Sequence, residues 1–415
     1  MSVQKKTITK EKIISAAFRE WGKTCFYKTN LSVVSDNLSI TKTALYRHFK
    51  NKKDLLRAMK EKFYQEYEKI KQSFILSAKE QTVEESVALF FKNYLPFFFN
   101  KPSYFHFIVF LISEEIRKKR KLAQEFFIDE QMLFSNVLEN NGYQVTEKIQ
   151  NIFFRMIIAV GSLYLKTELS GKKQSKINNL EEVTKGLSGI VLYGIWNREK
   201  LSQPSFKKIL DDCTITRYQR EPQDRIFSGI ANVVAKEGIL DSTTEKIARK
   251  LGMSKSSLYF YFKNRDEMLS KMIFQKVSEF QRFLYQSLEK YTSLEEKTFC
   301  FFVTLSSYLA YDPTVLTVFN WIWLQRIELN LTPPKPEEIK DIAGFIYKAV
   351  ENGNFNKYIF THEQIAALIV REVVQETIAG FRRNESKEEI LNSMEYVFFL
   401  LNKGIIYYKN QRRVQ

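Results

Sequence analysis

The stretch Lys42-Thr43-Ala44-Leu45-Tyr46-Arg47-His48-Phe49-Lys50-Asn51 returns later in the chain as Lys255-Ser256-Ser257-Leu258-Tyr259-Phe260-Tyr261-Phe262-Lys263-Asn264. The offset, 258 − 45 = 213, is close to half of the 415 residues. Solenoid repeats recur at roughly 20 to 50 residues, so a repeat this long marks a duplicated domain. The register extends without a gap over residues 12–59, where Ile13/Ile226, Lys23/Lys236, Leu38/Leu251, Leu45/Leu258, Phe49/Phe262 and Leu56/Leu269 coincide.

The local chemistry of both copies is that of a helix-turn-helix. In the second copy the pattern predicts helices over 225–237, 244–251 and 254–260, with turns at Gly238 and at Gly252-Met253. Gly252 suits a left-handed turn position, where a side chain meets steric resistance. Ser242 and Glu245 have the spacing of a capping box opening the middle helix. Two short helices joined by such a turn place the second in the DNA major groove. In the first copy Thr41, Lys42, Thr43, Tyr46, Arg47 and His48 crowd donors and acceptors onto one short helix, with Lys50, Lys52 and Lys53 following. Hydroxyls and lysines at helix ends suit phosphate oxygens, while mid-helix side chains would face base edges. Leu45 and Phe49, with Leu258 and Phe262, are the candidates for core. A helical hairpin with no nucleic-acid role is the plainer reading, and two ungapped copies count against it.

Both segments resemble the TetR family of bacterial transcriptional regulators, whose signature ends in L-Y-x-H-F-x-x-K. The first copy has Leu45-Tyr46-Arg47-His48-Phe49-Lys50-Asn51-Lys52, and the second Leu258-Tyr259-Phe260-Tyr261-Phe262-Lys263-Asn264-Arg265. The resemblance implies DNA contacts at Thr41, Lys42, Thr43, Tyr46, Arg47, His48 and Lys52. In the second copy it implies Ser254, Lys255, Ser256, Ser257, Tyr259, Phe260, Tyr261 and Arg265. It covers about 48 residues per copy and is only architectural beyond them. Departures separate the copies: Ser39 stands where the second has Gly252, Cys25 where it has Gly238, and Tyr261 replaces the usual His. The two heads are therefore expected to prefer different half-sites.

A formal charge of +17 and a pI near 9.4 favour an acidic polymer as partner. The abundance of Lys, Ile, Phe, Asn and Tyr in an AT-rich coding bias accounts for the same excess, so charge alone decides little. Cys25, Cys213 and Cys300 are odd in number and distant in sequence, which argues against a disulfide framework and for a reducing setting. The start, Met1-Ser2-Val3-Gln4-Lys5-Lys6, lacks the apolar run of a signal peptide. The most apolar stretch, Phe97 to Ile112, is interrupted by Asn100, Lys101, Pro102 and His106 and is too short to cross a bilayer. A soluble cytoplasmic protein without membrane attachment is expected.

Helical periodicity runs through the remainder. Ile13, Ile14, Ala17, Phe18 and Trp21 follow i, i+3, i+4 spacing, as do Ile226, Ile230, Ala231 and Val234. Similar patterns span 53–79, 83–99, 103–117, 121–140, 146–170 and 178–199. A second series follows from 265 to 408, broken near Thr292, Asp312, Pro333-Pro334, Asn352-Gly353-Asn354 and Asn384. Pro204 and Pro222 bracket the boundary, and Pro222 suits the first turn of a helix. The fold expected is all-α. Its parts are a helix-turn-helix domain at 1–59, a helical effector or dimerisation domain at 60–201 and a linker at 202–221, then a second helix-turn-helix at 222–272 and a second bundle at 273–415.

In the resembled family the last two helices of each chain form a four-helix dimer interface. Here that role falls to Thr146–Ser170 with Leu180–Lys200, and Thr361–Arg383 with Lys387–Tyr408, which would make the chain an intramolecular pseudodimer; a homodimer of fused chains is the other arrangement. Ala159, Gly161, Gly186, Ser188, Gly189 and Gly194 would permit close helix approach. Aromatic residues from Phe90 to Phe134, and Phe299 to Trp323 in the second half, would line a site for a flat or greasy effector, or simply form core. His48, His106 and His362 lie apart from any metal-ligand spacing, and no phosphate cradle or nucleophile elbow is present in the sequence. The basic run Arg117–Lys121 reads as a solvated helix end, and Lys5, Lys6 and Lys10 as a phosphate-contacting arm or a tail. No cofactor and no enzyme activity are expected. The expected function is a sequence-specific DNA-binding transcriptional regulator, a ligand-responsive repressor on an asymmetric or imperfectly palindromic operator, with double-stranded DNA and a small hydrophobic or aromatic effector as partners. A DNA-bound architectural or cell-division factor holding a protein partner is the alternative.

Overall fold

The computed structural model describes residues 9–24, 26, 29–117, 126–170, 179–196, 206–215, 222–237, 242–316 and 359–410. All regular structure among them is helical. The described residues fall into two compact units, one within Met1–Asn141 and Tyr164–Lys185, the other within Gly142–Leu163 and Gly186–Gln415.

The first half contributes α1 (Lys10–Gly22), α2 (Leu31–Asn37), α3 (Lys42–Tyr46), α4 (Lys52–Ala78), α5 (Val83–Asn100), α6 (Pro102–Arg117), α7 (Ile128–Asn140), α8 (Glu147–Ser170) and α9 (Leu180–Tyr193). The second contributes α10 (Phe206–Cys213), α11 (Pro222–Glu237), α12 (Thr244–Leu251), α13 (Lys255–Tyr261), α14 (Arg265–Leu288), α15 (Leu294–Tyr311), α16 (His362–Arg382), α17 (Lys387–Lys403) and α18 (Ile406–Asn410). Starts are set by short oxygen-bearing side chains that take the orphan first-turn N–H groups. Thr82–Glu85, Thr361–Gln364 and Ser386–Glu389 close full capping boxes. Pro222 opens α11, as its missing N–H allows. No single helix among the described residues is long and apolar enough to cross a membrane. Only α5 and α6 taken together reach that composition, and they are bent by 103°.

In the first unit a ring cluster ties the small N-terminal helices to the bundle. Phe18 meets Phe107 edge-on at 5.1 Å and Tyr104 at 4.7 Å, and Phe63 of α4 meets both of those rings. Most of the aromatic residues counted as candidate pocket lining are in fact core, among them Phe90, Phe91, Tyr94, Phe107 and Phe134. Phe319, Trp321 and Trp323 lie outside the described residues, as do Cys25, Gly238, Pro204, Lys5, Lys6 and Lys118–Lys121.

Part of the stretch expected to be a linker is built into the second unit. Phe206 of α10 packs edge-on to Phe299 at 4.6 Å, and the Ile215 N–H donates to Ser307 Oγ at 2.8 Å. Cys213 and Cys300, 87 residues apart in sequence, bring their buried thiols to 3.3 Å. Distance along the chain had hidden that contact.

The second unit also joins the two halves' last helices. Arg155 pairs with Glu376, whose other oxygen takes Arg383 at 2.7 Å, while Lys148 reaches Glu385 at 2.9 Å. Arg371 donates to Ser162 Oγ at 2.6 Å and to the Ala159 carbonyl at 3.2 Å. At the helix ends the contacts are reciprocal. The Ile195 N–H donates to the Leu401 carbonyl at 2.7 Å, and the Ile405 N–H donates to the Val191 carbonyl at 3.3 Å. Both pairs are related by one offset, since 405 − 195 and 401 − 191 are each 210. Gly194 and Gly404 make the approach feasible, with φ of 79° and 64°. A Cβ on Gly194 would run into the Asn402 backbone, and one on Gly404 into that of Leu192. Of the small residues expected to allow close approach, Gly194 does so, whereas a Cβ on Gly189 would meet nothing within 4 Å.

Gly194→Ala and Gly404→Ala are each expected to lower stability by more than about 1 kcal/mol, the left-handed conformation alone accounting for that much. Thermal unfolding reads the change. Wild-type melting in both variants would contradict the crossing described.

Candidate nucleic-acid interface

Each head is a three-helix unit that closes on one buried stripe. In the first, Ile13, Ala17, Val34, Leu45, Phe49, Leu55 and Met59 are buried. In the second, Ile230, Val234, Ile247, Leu258, Phe262, Met268 and Met272 form the equivalent cluster, with Ile226 packed at its edge. Leu45 and Leu258 are each 1% exposed, so the short recognition helices α3 and α13 are anchored by one side chain apiece. Apart from the half-buried Ala44, the other residues on them are exposed.

The turn preceding each recognition helix is left-handed in both copies, at φ 66° for Gly252 and 51° for Ser39. Ser39 thus holds a glycine conformation with a side chain attached. The expected capping box at Ser242 and Glu245 is corrected by one residue. Thr243 is the N-cap of α12 and accepts from the Lys246 N–H, while Ser242 is buried. Glu245 instead pairs with Lys255 at 2.6 Å, and its carboxylate raises the Lys255 ammonium pKa.

The fifteen candidate contact residues sort by position. Thr41 and Ser254 are N-caps whose hydroxyls accept from the Ala44 and Ser257 N–H groups. Lys42, Thr43, Tyr46, Arg47 and Lys52 are exposed, and His48 is half-buried. In the second head Lys255, Ser256, Ser257, Tyr259, Phe260 and Tyr261 are exposed. Arg265 is half-buried and donates through Nε to the Ser242 carbonyl at 2.8 Å, which fixes it across the head. Tyr46 and Tyr259, 49% and 46% exposed, hold equivalent places in the two heads. Residues 13–59 carry nine Lys and Arg against three Asp and Glu, and residues 226–272 eight against five. The first head therefore presents the stronger attraction for phosphate.

Behind the heads, sequence reasoning missed two buried polar clusters. In the first unit Tyr67 and Tyr94 both donate to Glu130 Oε1, at 2.5 and 2.7 Å, among Phe63, Phe74, Phe90 and Phe126. Burial raises the Glu130 carboxyl above its usual value of 4.5 against the lowering effect of those two hydrogen bonds. In the second unit Lys276 lies between Glu279 at 3.1 Å and Asp312 at 3.2 Å, with the Tyr308 hydroxyl donating to Glu279 at 2.9 Å. Helical periodicity gave no signal for the contacts of Glu130 with Tyr67 and Tyr94, or of Asp312 and Tyr308 with the Lys276–Glu279 pair, because those partners come from different elements. Among the described residues no group of His, Cys, Asp and Glu is placed to hold a metal.

Two three-helix heads, each with a buried anchor and a recognition helix whose other side chains are largely exposed, define a helix-turn-helix transcription regulator. The model for bacterial regulatory proteins of the tetR family matches at 13–59 and again at 226–272, so the chain carries two TetR-family modules in tandem. It is similar to the fatty acid metabolism regulator protein of Bacillus subtilis (strain 168), 22% identical over 193 residues, 46% of this chain and 98% of that protein. An uncharacterized HTH-type transcriptional regulator of Haemophilus influenzae is 26% identical over 94 residues, 23% of this chain and 50% of that protein. Among solved structures, the fatty acid degradation regulator FadR from Bacillus halodurans aligns at 18% identity and a TM-score of 0.36. That alignment covers 45% of this chain and 97% of that one.

Two outcomes follow from the geometry. Gly252→Ser is expected to destabilise the second head by about 1 kcal/mol, and Ser39→Gly to shift the first the other way. Melting curves unchanged in both would count against the left-handed turns. Because the folded Glu130 pKa is raised, its contribution is favourable at low pH and is lost as pH rises above 4.5 through the folded value. Glu130→Gln keeps an acceptor for both tyrosines, so it should melt higher than wild type at pH 8 and lose that advantage near pH 4. A pH-independent difference would remove the buried carboxyl from the account.

Proposed function

We propose that the chain is a ligand-responsive repressor that works as a single-chain pseudodimer on an asymmetric or imperfectly palindromic operator. The observation that carries this reading is the duplicated head, identical in its buried anchors and different on its outer face. Thr41, Lys42, Thr43, Tyr46, Arg47, His48 and Lys52 serve one half-site. Ser254, Lys255, Ser256, Ser257, Tyr259, Phe260, Tyr261 and Arg265 serve the other. The reciprocal Val191–Ile405 and Ile195–Leu401 hydrogen bonds support the pseudodimer, since a two-fold interface has residue i meeting j and j meeting i.

In this reading the modules run over 1–59 and 60–201, then 222–272 and 273–415, with 202–221 joining them. The effector in this reading is a small hydrophobic or aromatic molecule, and the relative named for fatty acid metabolism makes lipid-related genes the natural target. The chain acts in the cytoplasm, where its operator is. An effector shifts DNA binding only by favouring one of two arrangements of the heads.

The test is binding of genomic fragments by the purified chain, with its mass in solution, for wild type, Tyr46→Ala and Tyr259→Ala. A species of 49.1 kDa that loses specific binding with either substitution is the expected result. Loss with Tyr46→Ala alone would reduce the second head to a scaffold. Twice that mass would place the two-fold interface between chains.

A further inference from the structure

The outermost face of each recognition helix is built from two residues, and chemistry differs between the copies at one of them. At about 100° per residue, Phe260 lies about 200° round the helix from the buried Leu258, facing directly away from the core. Ser256 lies on the same outward face one turn earlier. Phe260 is 86% exposed, the most exposed large hydrophobic side chain among the described residues. Tyr259 and Tyr261 beside it are exposed as well, and contiguous exposed rings, unlike a lone surface apolar residue, mark an interaction site. In the first head the same two places are held by Thr43 and Arg47, both exposed.

Resting on the DNA-reading function proposed above, we infer that Phe260 reads a thymine by packing on its C5-methyl group, where Arg47 reads a guanine in the other half-site. In the major groove the thymine methyl is the apolar feature of the base-edge pattern, and guanine offers O6 and N7 to a two-pronged donor. Phe260 has no donor to offer a phosphate or a base nitrogen. Its surroundings match DNA rather than a second apolar surface. Lys263 follows it at the helix end, and Arg249 and Lys250 lie on α12, which leads into the same turn, while Lys255 is held by Glu245. The neighbouring Tyr261 ring stands edge-on to the Phe260 ring at 5.5 Å. The operator should therefore carry guanine in one half-site at the position where the other carries thymine.

The test uses the whole chain and an operator selected from random duplex DNA. Each thymine is replaced in turn by deoxyuridine, which removes only the methyl group, and binding is followed by fluorescence anisotropy. At one thymine of one half-site the loss is expected to be about four-fold, as for exposing one buried methyl. Phe260→Ala should abolish that sensitivity, and Phe260→Leu should keep part of it. Arg47→Ala should leave it intact. Phe260→Arg should exchange thymine for guanine in a repeat selection. Uracil binding as well as thymine at every position would overturn the inference, as would a sensitivity that survives Phe260→Ala; in both cases the DNA-reading function stands. A chain that selects no sequence would overturn that function as well. Because Phe260 is so exposed, none of these substitutions disturbs the core.

Discussion

The packing of α9 on α17 depends on two glycines. Gly194 and Gly404 each terminate a helix in a conformation with φ above 60°, and each lies where any Cβ would enter the other helix's backbone. Their absence of a side chain lets Val191, Ile195, Leu401 and Ile405 exchange main-chain hydrogen bonds. Main-chain pairing of this kind is indifferent to side-chain identity around it. The charged contacts nearby are not: Arg155–Glu376 and Arg371–Ser162 are particular to the residues present.

The heads follow the opposite rule. Their interiors keep Leu45 and Leu258, Phe49 and Phe262, and Met59 and Met272 in matching places, and exchange others, such as Trp21 for Val234. Their means of joining the first two helices has diverged. The first head uses the buried Glu20, which takes Asn37 at 2.9 Å and Lys23 at 2.7 Å. The second has Val233 at the Glu20 position and brings the Leu251 side chain against Gly229, where a Cβ would push it aside. Similar folds thus rest on a polar link in one copy and an apolar one in the other. Neither choice touches the outer face of the recognition helix.

Much of this was legible in sequence because it is local or periodic. The ungapped match placed both heads, Gly252 announced its turn, and Pro222 announced the start of α11. The capping residue of α12 was misread by one position, since Ser242, Thr243 and Thr244 are adjacent hydroxyls and only packing selects among them. Ser39 was recognised as a departure, and the chain accepts it in the left-handed region without altering the turn. What sequence could not reveal were contacts made across helices. Glu130 meets Tyr67 and Tyr94 from 63 and 36 residues away, and Cys213 meets Cys300 from 87. Nothing in the stretch expected to be a linker announced that α10 would pack on Phe299.

The offset of 210 that relates the two hydrogen bonds also says what is not repeated. Arg155 maps to Ile365 and Glu376 to Lys166, so the ion pair on one side has no mirror image on the other. In an assembly of identical subunits every substitution arrives twice, on both sides of the axis, and must be tolerated in both places at once. Here each arrives once. Inheritance is therefore split: either half can drift alone, and a damaged allele has no sister subunits in a mixed complex to spoil if the chain acts by itself.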